Sequence, residues 1–137
     1  MRAFIDSNIF IYAAQAHPEF GEDCKRIIAS IEKGEMAAVT STLNISEVGE
    51  VLHRYAGRKA SSKVLEFLLA LPMEIEPVVK EHLIAAGEYF REYSINYFDC
   101  IYLALMREKF IDSIITNDKH FEKVEGINVV TPTDASR

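Results

Sequence analysis

Apolar and polar positions fall along this chain in two kinds of block. Ala3-Phe4-Ile5, Met36 to Thr40, Ser113 to Thr116 and Asn128 to Thr131 are short apolar or β-branched runs bounded by polar or turn residues, and they read as strands. Between them lie longer stretches with apolar residues at helical spacing. Ser7 or Asn8 can cap a helix to about Gln15. A helix from about Glu19 to Lys33 carries Cys24, Ile27, Ile28 and Ile31 on one face and ends at Gly34. Leu43 to Ala56 follows, with a stripe of Ile45, Val48, Val51, Leu52 and Tyr55 and a stop at Gly57. Arg58 to Ser62 reads as a basic, polar turn, and Ser61 or Ser62 as the cap of a helix carrying Val64, Leu65, Leu68, Leu69 and Leu71 that Pro72 closes. Met73 to Pro77 is at most an edge strand. Val78 to Tyr93 and Phe98 to about Lys109 are the remaining helices, and Asn117 to Phe121 forms a turn after the Ser113 strand.

Short strands alternating with helices predict an α/β fold, a parallel sheet covered by helices on both faces. A length of 137 residues without repeat or linker predicts a single domain over 1–137, and 49% hydrophobic residues suffice for a core without metal or disulfide staples. Asp6 interrupts the first apolar run, so it does not resemble a signal peptide, and no run approaches the roughly 18 apolar residues that span a bilayer. The expectation is a soluble, cytoplasmic protein with no membrane partner.

Cys24 and Cys100 form no CxxC and are expected to be buried, reduced thiols. His17, His53, His82 and His120 form no HxxxH or His/Cys cluster, which argues against a zinc site. The net charge of −6 disfavours nonspecific coating of nucleic acid. It does not exclude a nuclease whose acids are gathered around divalent ions.

Four acids stand where strands end or helices begin. Asp6 follows the first strand, Glu47 lies early in the helix after the second, Asp99 is in the first turn of its helix, and Asp118 follows the Ile114-Ile115-Thr116 strand. In a parallel sheet those boundaries share one edge. Each acid has an ordinary explanation: Asp6 as a cap, Glu47 as partner of Asn44 in a capping box, Asp99 as a dipole complement, Asp118 as an Asx-turn. Capping gives no reason for all four to share an edge in the company of Ser7, Asn8, Thr116 and Asn117. A cluster of carboxylates suits a hard divalent ion and metal-assisted phosphodiester hydrolysis.

Phe-Ile-Asp6-Ser-Asn8, Ser46-Glu47, Phe98-Asp99-Cys-Ile-Tyr-Leu-Ala104 and Ile-Thr116-Asn-Asp118-Lys-His-Phe121, in that order, resemble the PIN domain family, and within it the VapC-type toxin ribonucleases. The resemblance implies a three-layer α/β/α sandwich with a central parallel sheet. It implies a Mg²⁺- or Mn²⁺-dependent endoribonuclease that cleaves single-stranded RNA, the toxin of a type II toxin–antitoxin pair, held by a cognate antitoxin and forming a homodimer. Asp6, Glu47, Asp99 and Asp118 would hold one or two ions, with Asn8 and Thr116 in support. Cys100 stands where many members have alanine. His120 stands where some have a further acid, which bears on the second ion.

Arg54, Arg58, Lys59 and Lys63 are the best basic run and could border an RNA path, or be a solvated helix end. Lys119 and His120 adjoin Asp118 and could also touch RNA. Glu50 reads as the surface partner of Arg54. Tyr89, Phe90, Tyr93, Tyr97, Phe98 and Tyr102 read as core or dimer-face aromatics before base-stacking ones. The rival functions are a non-catalytic PIN-like module binding RNA or protein, and an aspartyl phosphotransferase. Asn8 disfavours the latter, which needs an acid two residues after Asp6.

Overall fold

A computed structural model describes residues 2–137. Five strands, β1 (Arg2–Ile5), β2 (Ala37–Ser41), β3 (Glu74–Glu76), β4 (Ser113–Ile115) and β5 (Asn128–Val130), pair in the order β3-β2-β1-β4-β5, all parallel. The helices are α1 (Ser7–Gln15), α2 (Gly21–Glu32), α3 (Thr42–Ala56), α4 (Arg58–Leu69), α5 (Lys80–Glu92), α6 (Tyr97–Glu108) and α7 (Pro132–Ala135). A 3-10 turn spans Lys119–Lys123. Among the described residues, no helix is long and apolar enough to cross a membrane.

Successive strand side chains point to opposite faces, and each face has its own core. Ala3, Ile5, Ala38 and Ile115 pack with Ile9 and Phe10 of α1, Ile27 of α2, Val48 of α3 and Leu68 of α4. Phe4, Val39 and Ile114 point the other way, onto Ala86 of α5 and the buried stretch Cys100–Met106 of α6. That is the α/β/α sandwich the sequence predicts. Both cysteines are buried free thiols, and burial pushes the Cys24 thiol up to about 12.

The differences lie at element ends. Ser7 and Asn8 do not cap α1; Asp6 is its N-cap, in extended conformation, and its carboxylate accepts from the Ser7 N–H. The α2 helix starts at Gly21, because His17 Nδ1 accepts from the N–H groups of Glu19 and Phe20 and holds them in a turn. Arg58 to Ser62 is not a turn but the start of α4. Gly57, at φ +91, makes the whole bend from α3 to α4, so no further residues are needed. Asn44 and Glu47 form no capping box. Ser41 caps α3 by accepting from the Asn44 N–H, which leaves Glu47 in the second turn. Pro132 ends β5 as expected and also opens α7 at the first helical position, where its missing N–H costs nothing.

Two glycine substitutions should move stability in opposite directions. A Cβ at Gly21 would stand 2.9 Å from the backbone carbon of Ala16, so Gly21→Ala is expected to cost about 1–3 kcal/mol through overpacking. A Cβ at Gly87, inside α5, meets nothing within 4 Å, so Gly87→Ala should stabilise by about 0.5–1 kcal/mol. Urea denaturation of the two variants checks both signs.

Candidate metal centre

In the strand order β3-β2-β1-β4-β5 the direction of winding reverses between β1 and β4, and open α/β sheets bind ligands outside the strand ends at such a point. Asp6 stands at the tip of β1 and Thr116 at the tip of β4. The Asp6 N–H extends the ladder by donating to the Ile115 carbonyl at 3.0 Å. Thr40 Oγ1 donates to the Ile5 carbonyl at 3.0 Å and fixes the same tip from the β2 side. Glu47 arrives from α3. Asp99 arrives in the first turn of α6, where its N–H is capped by Asn96 Oδ1 at 2.9 Å. Asp118 caps the 3-10 turn, accepting from the His120 N–H at 2.8 Å.

All four acids line one cleft of about 400 Å³, together with Ser7, Asn8, Asn96, Phe98 and Tyr102. Thr116 Oγ1 donates to Asp6 Oδ2 at 2.6 Å, and the Ser7 N–H donates to Asp6 Oδ1 at 2.7 Å. Asn8 Nδ2 donates to Thr116 Oγ1 at 3.2 Å, and the Asp118 N–H donates to the same oxygen at 2.9 Å. Glu47 Oε1 accepts from Ser7 Oγ at 2.8 Å and from Tyr102 Oη at 2.5 Å. Asn44, fully buried, donates from Nδ2 to Ser7 Oγ at 2.9 Å and so orients that hydroxyl toward Glu47.

Asp99 is the exception. Only 4% of it is exposed, and its Oδ2 is a buried oxygen with no hydrogen-bond partner among the described residues. A buried carboxylate oxygen with no donor is costly. Burial, and then the charges of Asp6, Asp118 and Glu47, push the Asp99 carboxyl up from 3.8 to about 7. Burial pushes Asp6 up to about 6, against the opposing Thr116 and Ser7 hydrogen bonds. The Tyr102 hydroxyl is raised by burial and by its bond to Glu47, which keeps it a donor. Ligand atoms of Asp99, Asp118 and His120 lie within 4.8 Å of one another. The residues therefore fit a divalent cation: an oxygen-rich set, mutually repelling when ionised, with one buried oxygen lacking a partner.

The structure brings the sequence-predicted acids Asp6, Glu47, Asp99 and Asp118 into one cleft, with Asn8 and Thr116 bonded to each other beside Asp6. It does not bring the basic run there. Arg54 pairs with Glu50 at 3.3 Å, and Arg58 lines a separate hollow between α3 and α4 with His53 and Ser61. Lys59 and Lys119 are exposed. Tyr102 is more than a core aromatic, since its hydroxyl holds Glu47. Its position three residues after Asp99, on the same helix face, was the available signal. Ser7 and Asn44 carry no such signal, because their roles depend on where α1 meets α3.

Asp6 and Asp99 bind protons more tightly in the folded chain than their ordinary value of 3.8 allows. Their protonation adds stability that is complete below about pH 4 and is lost as pH rises through about 6 to 7. The Tm of the metal-free protein is therefore expected to rise when pH is lowered from about 8 to about 5, and added Mg²⁺ to raise Tm at the higher pH only. Scanning calorimetry checks both; a metal-free Tm that climbs toward alkaline pH contradicts the electrostatic picture.

Comparison with known proteins bears on this geometry. The family model described as "PIN domain" matches residues 3–127. A search of curated proteins finds no match. Among solved structures, the chain is similar to the Mycobacterium tuberculosis toxin VapC20, described as cleaving the sarcin–ricin loop. Identity is 21%, the TM-score is 0.76, and coverage is 90% of this chain and 95% of that one. It is also similar to a chain of the Rickettsia felis VapBC2 complex bound to promoter DNA, at 15% identity and TM-score 0.72, with 96% and 98% covered. A chain of DNA-bound VapBC from Salmonella typhimurium matches at 16% identity and TM-score 0.72, with 96% and 99% covered. At these identities the solved structures speak for the fold, and the matched family model for kinship: the chain belongs to the PIN domain family.

Proposed function

We propose that this protein is a single-domain, divalent-metal-dependent endoribonuclease of the VapC type, cleaving single-stranded RNA as the toxin of a type II toxin–antitoxin pair in the cytoplasm. The observation that carries the reading is the buried, partnerless Oδ2 of Asp99 in a cleft walled by three further acids. Asp6, Glu47, Asp99 and Asp118 hold one or two Mg²⁺ or Mn²⁺ ions, with Asn8 and Thr116 fixing Asp6. Such an ion supplies Lewis-acid chemistry, lowering the pKa of the attacking water and offsetting charge on the phosphate.

The chain's own residues supply placement. Ser7 and Tyr102 aim one oxygen of Glu47 and leave the other open, and the hydrogen bonds from Thr116 and Ser7 favour the ionised form of Asp6 against its burial. Lys119 and His120 are exposed and follow Asp118 directly in the chain, which supports reading them as contacts for a phosphate backbone at the cleft. Arg54, Arg58 and Lys59 lie farther along α3 and α4 and would meet a longer RNA. A non-catalytic binding module is the weaker reading, because it gives no reason to retain a cleft whose other acids raise the cost of ionising Asp6 and Asp99.

Two apolar surfaces support the partners. A hollow of about 300 Å³ among α1, α2 and α4, walled by Phe10, Ala14, Ile28, Val64 and Phe67, suits an apolar antitoxin segment. Val79, Leu83, Phe90, Tyr97 and Phe98, all at least 39% exposed, form an apolar face on α5 and α6 that suits a second copy of the chain.

Asp6→Asn and Asp99→Asn are expected to abolish Mg²⁺-dependent cleavage of a single-stranded RNA oligonucleotide while circular dichroism stays unchanged. Cleavage by both variants at the wild-type rate sinks the nuclease assignment. Tyr102→Phe removes one of the two donors to Glu47 Oε1 and should weaken Mg²⁺ binding by about 10-fold, read by titration calorimetry.

A further inference from the structure

Histidine carries little weight in the sequence pattern, where four scattered residues make no cluster. In the structure three of them are otherwise engaged. His17 accepts from backbone N–H groups, His53 sits by Glu50, and His82 pairs with Glu108. His120 differs. The extended conformation of Asp118 followed by a 3-10 turn folds residue 120 back over residue 118, and the ring Nδ1 lies 3.1 Å from Asp118 Oδ1. A ring nitrogen of His120, a carboxylate oxygen of Asp99 and one of Asp118 are all within 4.8 Å of one another. An ion pair with Asp118 would account for the ring's position by itself. It leaves unexplained the partnerless Oδ2 of Asp99, a residue of the same group of three.

We infer that His120 is a ligand of the ion held by Asp99 and Asp118, and that its nitrogen turns this centre toward a transition-metal divalent ion such as Mn²⁺ in preference to Mg²⁺. Mg²⁺ takes oxygen ligands, keeps several waters and demands near-octahedral geometry. Imidazole is a ligand of first-row transition ions. Mn²⁺, which shares the carboxylate and water ligands that suit Mg²⁺, is the member of that series that can keep the oxygen-rich set and add a nitrogen donor. A neutral imidazole in place of a further carboxylate also adds no negative charge to a cleft already crowded with it, at the cost of weaker attraction for a hard ion. His120 is exposed, so the ring can reach an ion without rearranging the core. The inference rests on the metal-holding part of the reading above and is independent of RNA cleavage.

The test uses metal-free protein without RNA. Titration calorimetry with MnCl₂ and MgCl₂ should show Mn²⁺ binding about 10-fold or more tighter than Mg²⁺. His120→Ala should weaken Mn²⁺ binding by about 10–100-fold and Mg²⁺ binding by less than about 3-fold. His120→Asp should bind Mg²⁺ at least as tightly as the wild type and erase the preference, which also guards against a loss caused by misfolding. Pulsed electron paramagnetic resonance of the Mn²⁺-loaded protein should show modulation from a coordinated nitrogen in the wild type and none in either variant. Absence of that modulation in the wild type, or unchanged Mn²⁺ affinity in His120→Ala, overturns the inference. Mg²⁺-dependent RNA cleavage without the nitrogen signal would leave the nuclease reading standing and remove His120 as a ligand. The nitrogen signal in a protein that cleaves no RNA would do the reverse.

Discussion

Ionised carboxylates confined to one sheet edge repel one another, and burial strips away the water that would otherwise screen them. That constraint governs the strand tips, and the neighbouring elements meet it unevenly. Asp6 has donors on both oxygens, one of Glu47's oxygens has two, and the buried Oδ2 of Asp99 has none. The sheet and the first turns of α1 and α6 thus hold charge at a point where only a cation or a proton balances it. The raised carboxyls of Asp6 and Asp99 record that imbalance.

Much of this was legible in the sequence, because strand tips and helix starts leave local marks. Ala3-Phe4-Ile5 followed by a single acid reads as a strand delivering a carboxylate, and Asp99 beside Phe98 reads as a carboxylate in the first turn of a helix. What stayed hidden depends on contacts between distant elements. Ser7 looked like a cap, yet its hydroxyl joins Asn44 to Glu47 across 37 and 40 residues. The start of α4 was hidden for a different reason. Four of the five residues after Gly57 are polar and look like a loop, and only the geometry of that glycine shows that a one-residue bend is enough. In the sequence His120 is marked as a neighbour of Asp118 and as standing where some family members have a further acid. It is not marked as a ligand, because a group built from residues 99, 118 and 120 has no spacing motif.

The acidic net charge takes on a different meaning once the acids are placed. Four carboxylates in one cleft account for much of an imbalance of −6, and cations bound there would remove part of it. The bulk charge of such a chain is therefore a poor guide to its affinity for a polyanion. The field at the mouth of the cleft matters more, and it depends on how many cations are bound.

Asp6, Ser7 and Asn8 are consecutive, yet they reach partners from distant parts of the chain. Asp6 and Asn8 meet Thr116 across 110 and 108 residues, and Ser7 meets Glu47. During synthesis the first of these residues leaves the ribosome long before its partner exists. Until residues 116 and 118 have emerged and β4 has docked beside β1, the nascent chain carries an unpaired Asp6 and no assembled cleft. The centre is completed only once residue 118 has been translated, so a chain released before that point lacks it altogether.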